Sequence, residues 1–178
     1  MKRIAILQSN YIPWKGYFDL IASVDEFVLY DDMQFTRRDW RNRNLIKTPN
    51  GLKWLTIPVQ VKGKYHQKIC ETQVESATWA AEHWRSIEAN YRRAPHFRSE
   101  ADWLSALYLG PHPDDLSGIN RAFLTAICKR LQIGAQVTQS SDYHLAEERS
   151  ERLASICEQA GAAVYVSGPA ARDYLDES

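Results

Sequence analysis

The sequence predicts an α/β protein: a mainly parallel sheet flanked by helices, with a mixed or antiparallel insert near residues 53–74. Three observations predict it. Short apolar runs of strand length alternate with stretches of helical period. The first three segments read strand, short helix, strand, the opening of a parallel βαβ unit. The region from Lys53 to Val74 breaks that rhythm with alternating residues and a Lys62-Gly63-Lys64 turn.

The elements follow in order. Residues 2–7 (K-R-I-A-I-L) form a buried strand that ends at the polar turn Gln8-Ser9-Asn10. Phe18, Leu20, Ile21 and Val24 mark a short helix after the punctuation of Pro13 and Gly16. Residues 26–30 (E-F-V-L-Y) form a second strand, closed by Asp31-Asp32. Residues 33–51 are polar and basic and read as a loop ending in the Pro49-Asn50-Gly51 turn. Residues 53–61 alternate as a strand, with Pro58 placing it at an edge or near an end. Residues 68–74 are its candidate hairpin partner. From Thr78, read as an N-cap, the residues Trp79, His83, Trp84, Ile87 and Tyr91 recur at helical spacing until Pro95. Helices follow over 99–109 and, through Leu116, Ile119, Phe123, Ile127 and Leu131, over the clearest amphipathic stretch. A strand at Gln136–Gln139, a helix at Arg149–Gln159 and a last strand over 163–166 complete the pattern.

These 178 residues are enough for one domain with a real core, and 1–178 is read as a single domain. Twenty-two basic side chains balance 22 acidic ones, so no global field draws the chain to nucleic acid or to an anionic membrane. The three cysteines, Cys70, Cys128 and Cys157, lie far apart, as reduced cytosolic thiols do. The apolar start is too short for a signal peptide, and no run reaches membrane-spanning length. A cytoplasmic protein without membrane insertion is expected.

Four segments could carry chemistry. In open α/β sheets ligands bind beyond the carboxyl ends of strands. The loop after the first strand packs Gln8, Asn10, Tyr11, Trp14, Gly16 and Tyr17 into ten residues, and the following helix offers N–H groups to an anion. Its aromatics could equally pack on the sheet. Asp31 and Asp32 end the second strand, next to Gln34, and can act as a base or hold a divalent cation, or else cap a helix or pair with nearby arginines. If the strand continues through them they face opposite ways. Trp40, Arg41, Asn42 and Arg43 lie in a segment with four arginines and a lysine within residues 36–47. Arginine forks match phosphate and carboxylate, and tryptophan stacks on a base or sugar; a solvated face is the plainer alternative. Ser167 and Gly168 follow the last strand, with Tyr174 beyond them. The five histidines have no metal-ligand spacing, so no metal site is assigned; His83 reads as packed among tryptophans and His144 as the better base.

The runs Q-S-N-Y-I-P-W-K-G-Y-F-D-L-I, D-E-F-V-L-Y-D-D-M-Q-F, R-D-W-R-N-R-N-L-I-K-T-P-N-G, W-L-T-I-P-V and Y-V-S-G-P-A-A-R-D-Y-L together resemble the WbqC-like family. The likeness spans nearly the whole chain. It implies a place in surface-polysaccharide (O-antigen) synthesis and transfer of an aminoacyl group, glycine in particular, onto a sugar. It also implies a chain that continues past residue 178. It carries Gln8, Asn10, Tyr11, Trp14, Gly16, Tyr17, Asp31, Asp32, Gln34, Trp40, Arg41, Asn42, Arg43, Ser167, Gly168 and Tyr174 over as motif positions without assigning their roles. A weaker likeness to HxGH nucleotidylyltransferases stops at the layout, since Tyr11 and Tyr17 stand near where that signature has histidines. The expected ligand is a nucleotide-sugar or an aminoacyl or acyl donor, with Asp31, Asp32 and Tyr11 as catalytic candidates; no cofactor is specified. A nucleotide-dependent ligase and a non-catalytic assembly protein are the alternatives.

Overall fold

A computed structural model describes residues 1–168, the side chains of residues 149 and 150 excepted. In chain order the elements are β1 (Arg3–Leu7), α1 (Lys15–Ala22), β2 (Glu26–Leu29), β3 (Arg43–Thr48), β4 (Gly51–Thr56), α2 (Thr78–Tyr91), α3 (Phe97–Leu109), α4 (Leu116–Arg130), β5 (Gln136–Gln139), α5 (Arg149–Gln159) and β6 (Val164–Tyr165). The chain divides into two compact units interleaved in sequence. The first holds Met1–Ser9, Trp14–Met33 and the chain from Ile127 on; the second holds Asn10–Pro13 and Gln34–Ala126. Among the described residues no helix is long and apolar enough to cross a membrane.

The first unit is a four-stranded parallel sheet in the order β5-β2-β1-β6. The α/β expectation holds. Strand residues alternate faces, and the sheet is covered on both. Ile4, Ile6, Val28 and Tyr30 form one face and pack with Ile156, Leu153 and Cys157 of α5. Phe27 lies on the opposite face, where the Tyr17 ring of α1 meets it with centroids 5.2 Å apart. The chain runs from β1 outward to β2 and β5, then crosses back to β6 on the other side of β1. Strand order therefore reverses between β1 and β6. In parallel sheets that reversal opens a crevice at the carboxyl ends, because the loops leaving the two strands depart to opposite faces.

The second unit holds the antiparallel part. β3 and β4 form a hairpin in which Arg43 faces Thr56 and Thr48 faces Gly51. Gly51 sits at φ 105, a conformation that suits glycine. The insert is thus antiparallel, as expected, but it pairs differently. The hairpin partner of β4 is the preceding segment, read from sequence as a loop; residues 68–74 pair with the expected strand only past Pro58, where Val59 and Val74 form an antiparallel bridge and Gln60 donates to the Gln73 carbonyl at 2.9 Å. Those residues make a tight turn in which Glu71 accepts the Lys68 N–H at 2.8 Å. β4 also stops before Pro58, which has no N–H to give to a ladder. Thr78 does not cap α2; the Ser76 hydroxyl accepts the Thr78 N–H at 3.2 Å instead. The unit's core is aromatic: Tyr11, Trp79, His83, Tyr108 and Phe123 are buried and in mutual ring contact.

Candidate functional site

The carboxyl end of the parallel sheet gathers polar groups from three strands. Asp31 and Asp32 follow β2 in a turn, and their carboxylates go to different neighbours. The Asp31 carboxylate, 2% exposed, accepts the Ser9 N–H at 2.8 Å and so ties the end of β2 to the loop after β1. Asp32, half-buried, accepts the Ser140 hydroxyl at 2.6 Å and ties β2 to the end of β5. One carboxylate is interior and one is within reach of solvent.

The loop after β1 prepares the rest. The Gln8 carbonyl accepts the buried Tyr17 hydroxyl at 2.9 Å, which folds α1 back on the strand end. No side chain caps the N-terminus of α1 at Trp14. The Trp14 indole is 72% exposed and lies against Gly16: a Cβ there would come within 1.8 Å of the ring. Gly16 is what lets the indole lie over the first turn of α1 as an open stacking face. Ser167 and Gly168 are exposed just past β6, on the other side of the reversal in strand order. Tyr174 lies outside the described residues.

The remaining candidates belong to the second unit. Tyr11 is 1% exposed, and its hydroxyl is 2.9 Å from His83 Nδ1 and 2.8 Å from the Tyr108 hydroxyl. The His83 Nε2 is 3.2 Å from the Thr56 carbonyl, which can only accept, so Nε2 carries the proton and Nδ1 accepts. Tyr11 then donates to His83 and accepts from Tyr108, a one-way chain. Burial lowers the His83 pKa to about 4 and raises both phenols. All three groups are neutral at pH 7. Tyr11 thus anchors the Asn10–Pro13 segment by its ring. Around it, Asn44 donates to the Ile12 carbonyl, and Ile12 itself is held at φ 44, an outlier for a β-branched residue.

This chain predicts unequal costs. Tyr11→Phe strands both the Nδ1 acceptor and the Tyr108 donor and should cost about 2–4 kcal/mol at about 1–3 kcal/mol per stranded group. Tyr108→Phe leaves the Tyr11–His83 bond intact and should cost about 1 kcal/mol. Urea unfolding of the two variants checks the order.

Asn10 accepts from the Arg41 guanidinium, which also lies 3.7 Å from Asp39. The Trp40 and Trp54 rings are 5.3 Å apart, and the Arg43 guanidinium sits 4.0 Å over Trp54. Gln34 donates to the Tyr65 carbonyl at 2.8 Å. Sequence reading placed no role on Ser140 or Tyr108, and took Ser9, Arg37 and Arg38 only as members of their candidate segments. Ser140 could have been found by the strand-end rule that found Asp32; the partners of Tyr11 could not, since they lie 72 and 97 residues away.

A family model covers residues 8–178, which includes the strand-end loops and the arginine segment just described. The chain belongs to the WbqC-like protein family. A curated relative in Mycobacterium tuberculosis (strain ATCC 25618 / H37Rv), named "Uncharacterized protein Rv1507c", is 59% identical over 177 residues. That alignment covers 99% of this chain and 77% of the relative. No solved structure matches this WbqC-like chain.

Proposed function

We propose that this WbqC-like protein is a transferase of surface-polysaccharide (O-antigen) synthesis that moves an aminoacyl or acyl group, glycyl in particular, onto an amino sugar carried by a nucleotide. The observation that carries the reading is the reversal of strand order between β1 and β6, with a reachable carboxylate at the end of β2. That layout suits a nucleotide-bearing ligand. Gln8, Gly16, Ser167 and Gly168 supply backbone and amide groups around it, and Trp14 supplies a stacking face. The first turn of α1 faces the ligand's phosphates.

The chemistry asked of the protein is modest. The sugar amine attacks the acyl carbon, the new C–N bond forms, the bond to the donor's leaving group breaks, and the amine proton passes to Asp32. The Ser140 hydroxyl donates to Asp32 and orients it. Asp31 holds the loop after β1 in place. In the second unit, Trp40, Arg41, Asn42 and Arg43 serve recognition of an anionic group, Asn10 and Tyr11 position them, and Gln34 holds the turn beside them.

A panel of sugar nucleotides tests this by thermal shift. A ligand that binds only the native state at a hundredfold excess over its Kd adds about 2.7 kcal/mol, or about 5–10 °C in Tm at this size. Stabilisation by an amino-sugar nucleotide without ATP is expected. Stabilisation by ATP with magnesium alone favours a second reading, a nucleotide-dependent ligase, which the same strand order also suits. No shift with either removes both.

A further inference from the structure

The hairpin of the second unit and the segments beside it border an open cavity of about 260 Å³. Its polar lining is Arg37, Arg38, Asn42, Arg43, Thr56 and Glu75. Three guanidiniums against one carboxylate leave two positive charges. Two of the arginines are held by their faces. Arg37 lies 5.6 Å over the Tyr65 ring and donates to the Val61 carbonyl at 2.8 Å. Arg43 stacks on Trp54 and donates to the Arg38 carbonyl. Each guanidinium has five donors, so such anchoring arrests the group while using few of them. Arg38 reaches the cavity from a backbone at φ 60, strained for a residue with a side chain.

Two residues of this lining each carry a buried atom with no partner among the described residues: Arg43 Nε, a donor, and Asn42 Oδ1, an acceptor. The Asn42 amide nitrogen is engaged, donating to the Ile57 carbonyl at 2.8 Å, which fixes the orientation of the carboxamide. Native proteins rarely leave buried polar atoms unmatched. Here one missing partner must accept and the other must donate. A plain anion answers only the first, whereas a hydroxyl, which both donates and accepts, can answer either. The charge excess matches a phosphate monoester, which carries about −1.5 to −2 at pH 7. The volume equals that of roughly nine waters at about 30 Å³ each, room for one small molecule.

We propose that this cavity is a subsite for a hydroxylated phosphate ester of monosaccharide size. Arg37, Arg38 and Arg43 bind the phosphate oxygens, and Asn42 Oδ1 accepts from a hydroxyl of the ligand. The proposal deepens the reading of the arginine segment given above, on which it rests, by naming the ligand class and adding Arg37 and Arg38.

Isothermal titration with glucose 1-phosphate, inorganic phosphate and glucose tests it on the wild-type chain and on Arg38→Gln, whose exposed side chain can change without loss of folding. Glucose 1-phosphate should bind the wild type at least about tenfold more tightly than inorganic phosphate, and glucose should give no heat. Arg38→Gln should weaken glucose 1-phosphate about tenfold or more, the usual effect of losing one hydrogen bond to a charged group. No binding of glucose 1-phosphate, equal binding by the variant, or inorganic phosphate as tight as the ester would each overturn the subsite. Thermal shifts with sugar nucleotides on the same wild-type preparation keep the two readings apart. A shift without glucose 1-phosphate binding removes the subsite alone, and the converse removes the sheet-end reading alone.

Discussion

Replacing Glu26 by alanine should lower stability by about 1–3 kcal/mol, the cost of leaving the Thr138 and Tyr143 hydroxyls without their acceptor, while the Lys2 partner, 37% exposed, adds little. Glu26 begins β2 and is 3% exposed. Its carboxylate meets the Lys2 ammonium at 2.7 Å, accepts the Thr138 hydroxyl at 2.7 Å and accepts the Tyr143 hydroxyl. One side chain thus links β1, β2, β5 and the turn after β5. Burial alone would raise its pKa, but the hydrogen bonds from Lys2, Tyr143 and Thr138 together outweigh burial and hold it below the ordinary value. A carboxyl lowered in this way stabilises the fold above the unfolded value of about 4.3 and loses that contribution as pH falls through the folded value. The gap between wild type and Glu26→Ala should therefore be widest near pH 7 and close in acid. At this chain length the loss corresponds to a Tm about 5 °C lower. Thermal unfolding at pH 7 and below pH 4 measures both effects; a Tm within 2 °C of wild type at pH 7 would mean that the network contributes little.

The centre of the sheet was legible because β1 and β2 are short, apolar and buried. Residues 3–7 and 26–29 carry hydrophobic runs with no competing helical period, and α4 repeats its apolar residues over four turns. β3 was not legible. Its sequence Arg-Asn-Leu-Ile-Lys-Thr lacks alternation, and what makes it a strand is the backbone ladder to β4. The division into two units was equally hidden, because Asn10–Pro13 belongs to the second unit while the residues on either side belong to the first. Nothing local marks such an exchange.

The candidate site shows the same split. Asp31 and Asp32 could be read as following a strand end, but they lie in the turn beyond Leu29, and their separate partners, Ser9 and Ser140, set their divergence. Tyr11 drew attention through its place after β1, yet its side chain lies in an aromatic core with His83 and Tyr108. Sequence adjacency locates a backbone and not the direction of a ring. Asn42 and Arg43 were legible as polar residues in a basic segment. That each leaves a buried atom without a partner is a property of the packed structure alone.

The second large effect belongs to Asp32. An asparagine there keeps the size of the side chain and an oxygen to accept the Ser140 hydroxyl, so the strand end should stay intact. It cannot take a proton from an attacking amine. General base catalysis contributes about 10²–10⁴-fold, and the loss should fall on kcat. A residue that only positioned the loop would change ligand binding as well. The same variant therefore separates chemistry from architecture.

The decisive measurement is the rate of glycyl transfer from an activated donor to an amino-sugar nucleotide by wild type and Asp32→Asn, paired with the Tm shift each shows on binding that nucleotide. The account predicts a rate lower by at least about a hundredfold with the Tm shift preserved. Transfer at the wild-type rate would contradict it.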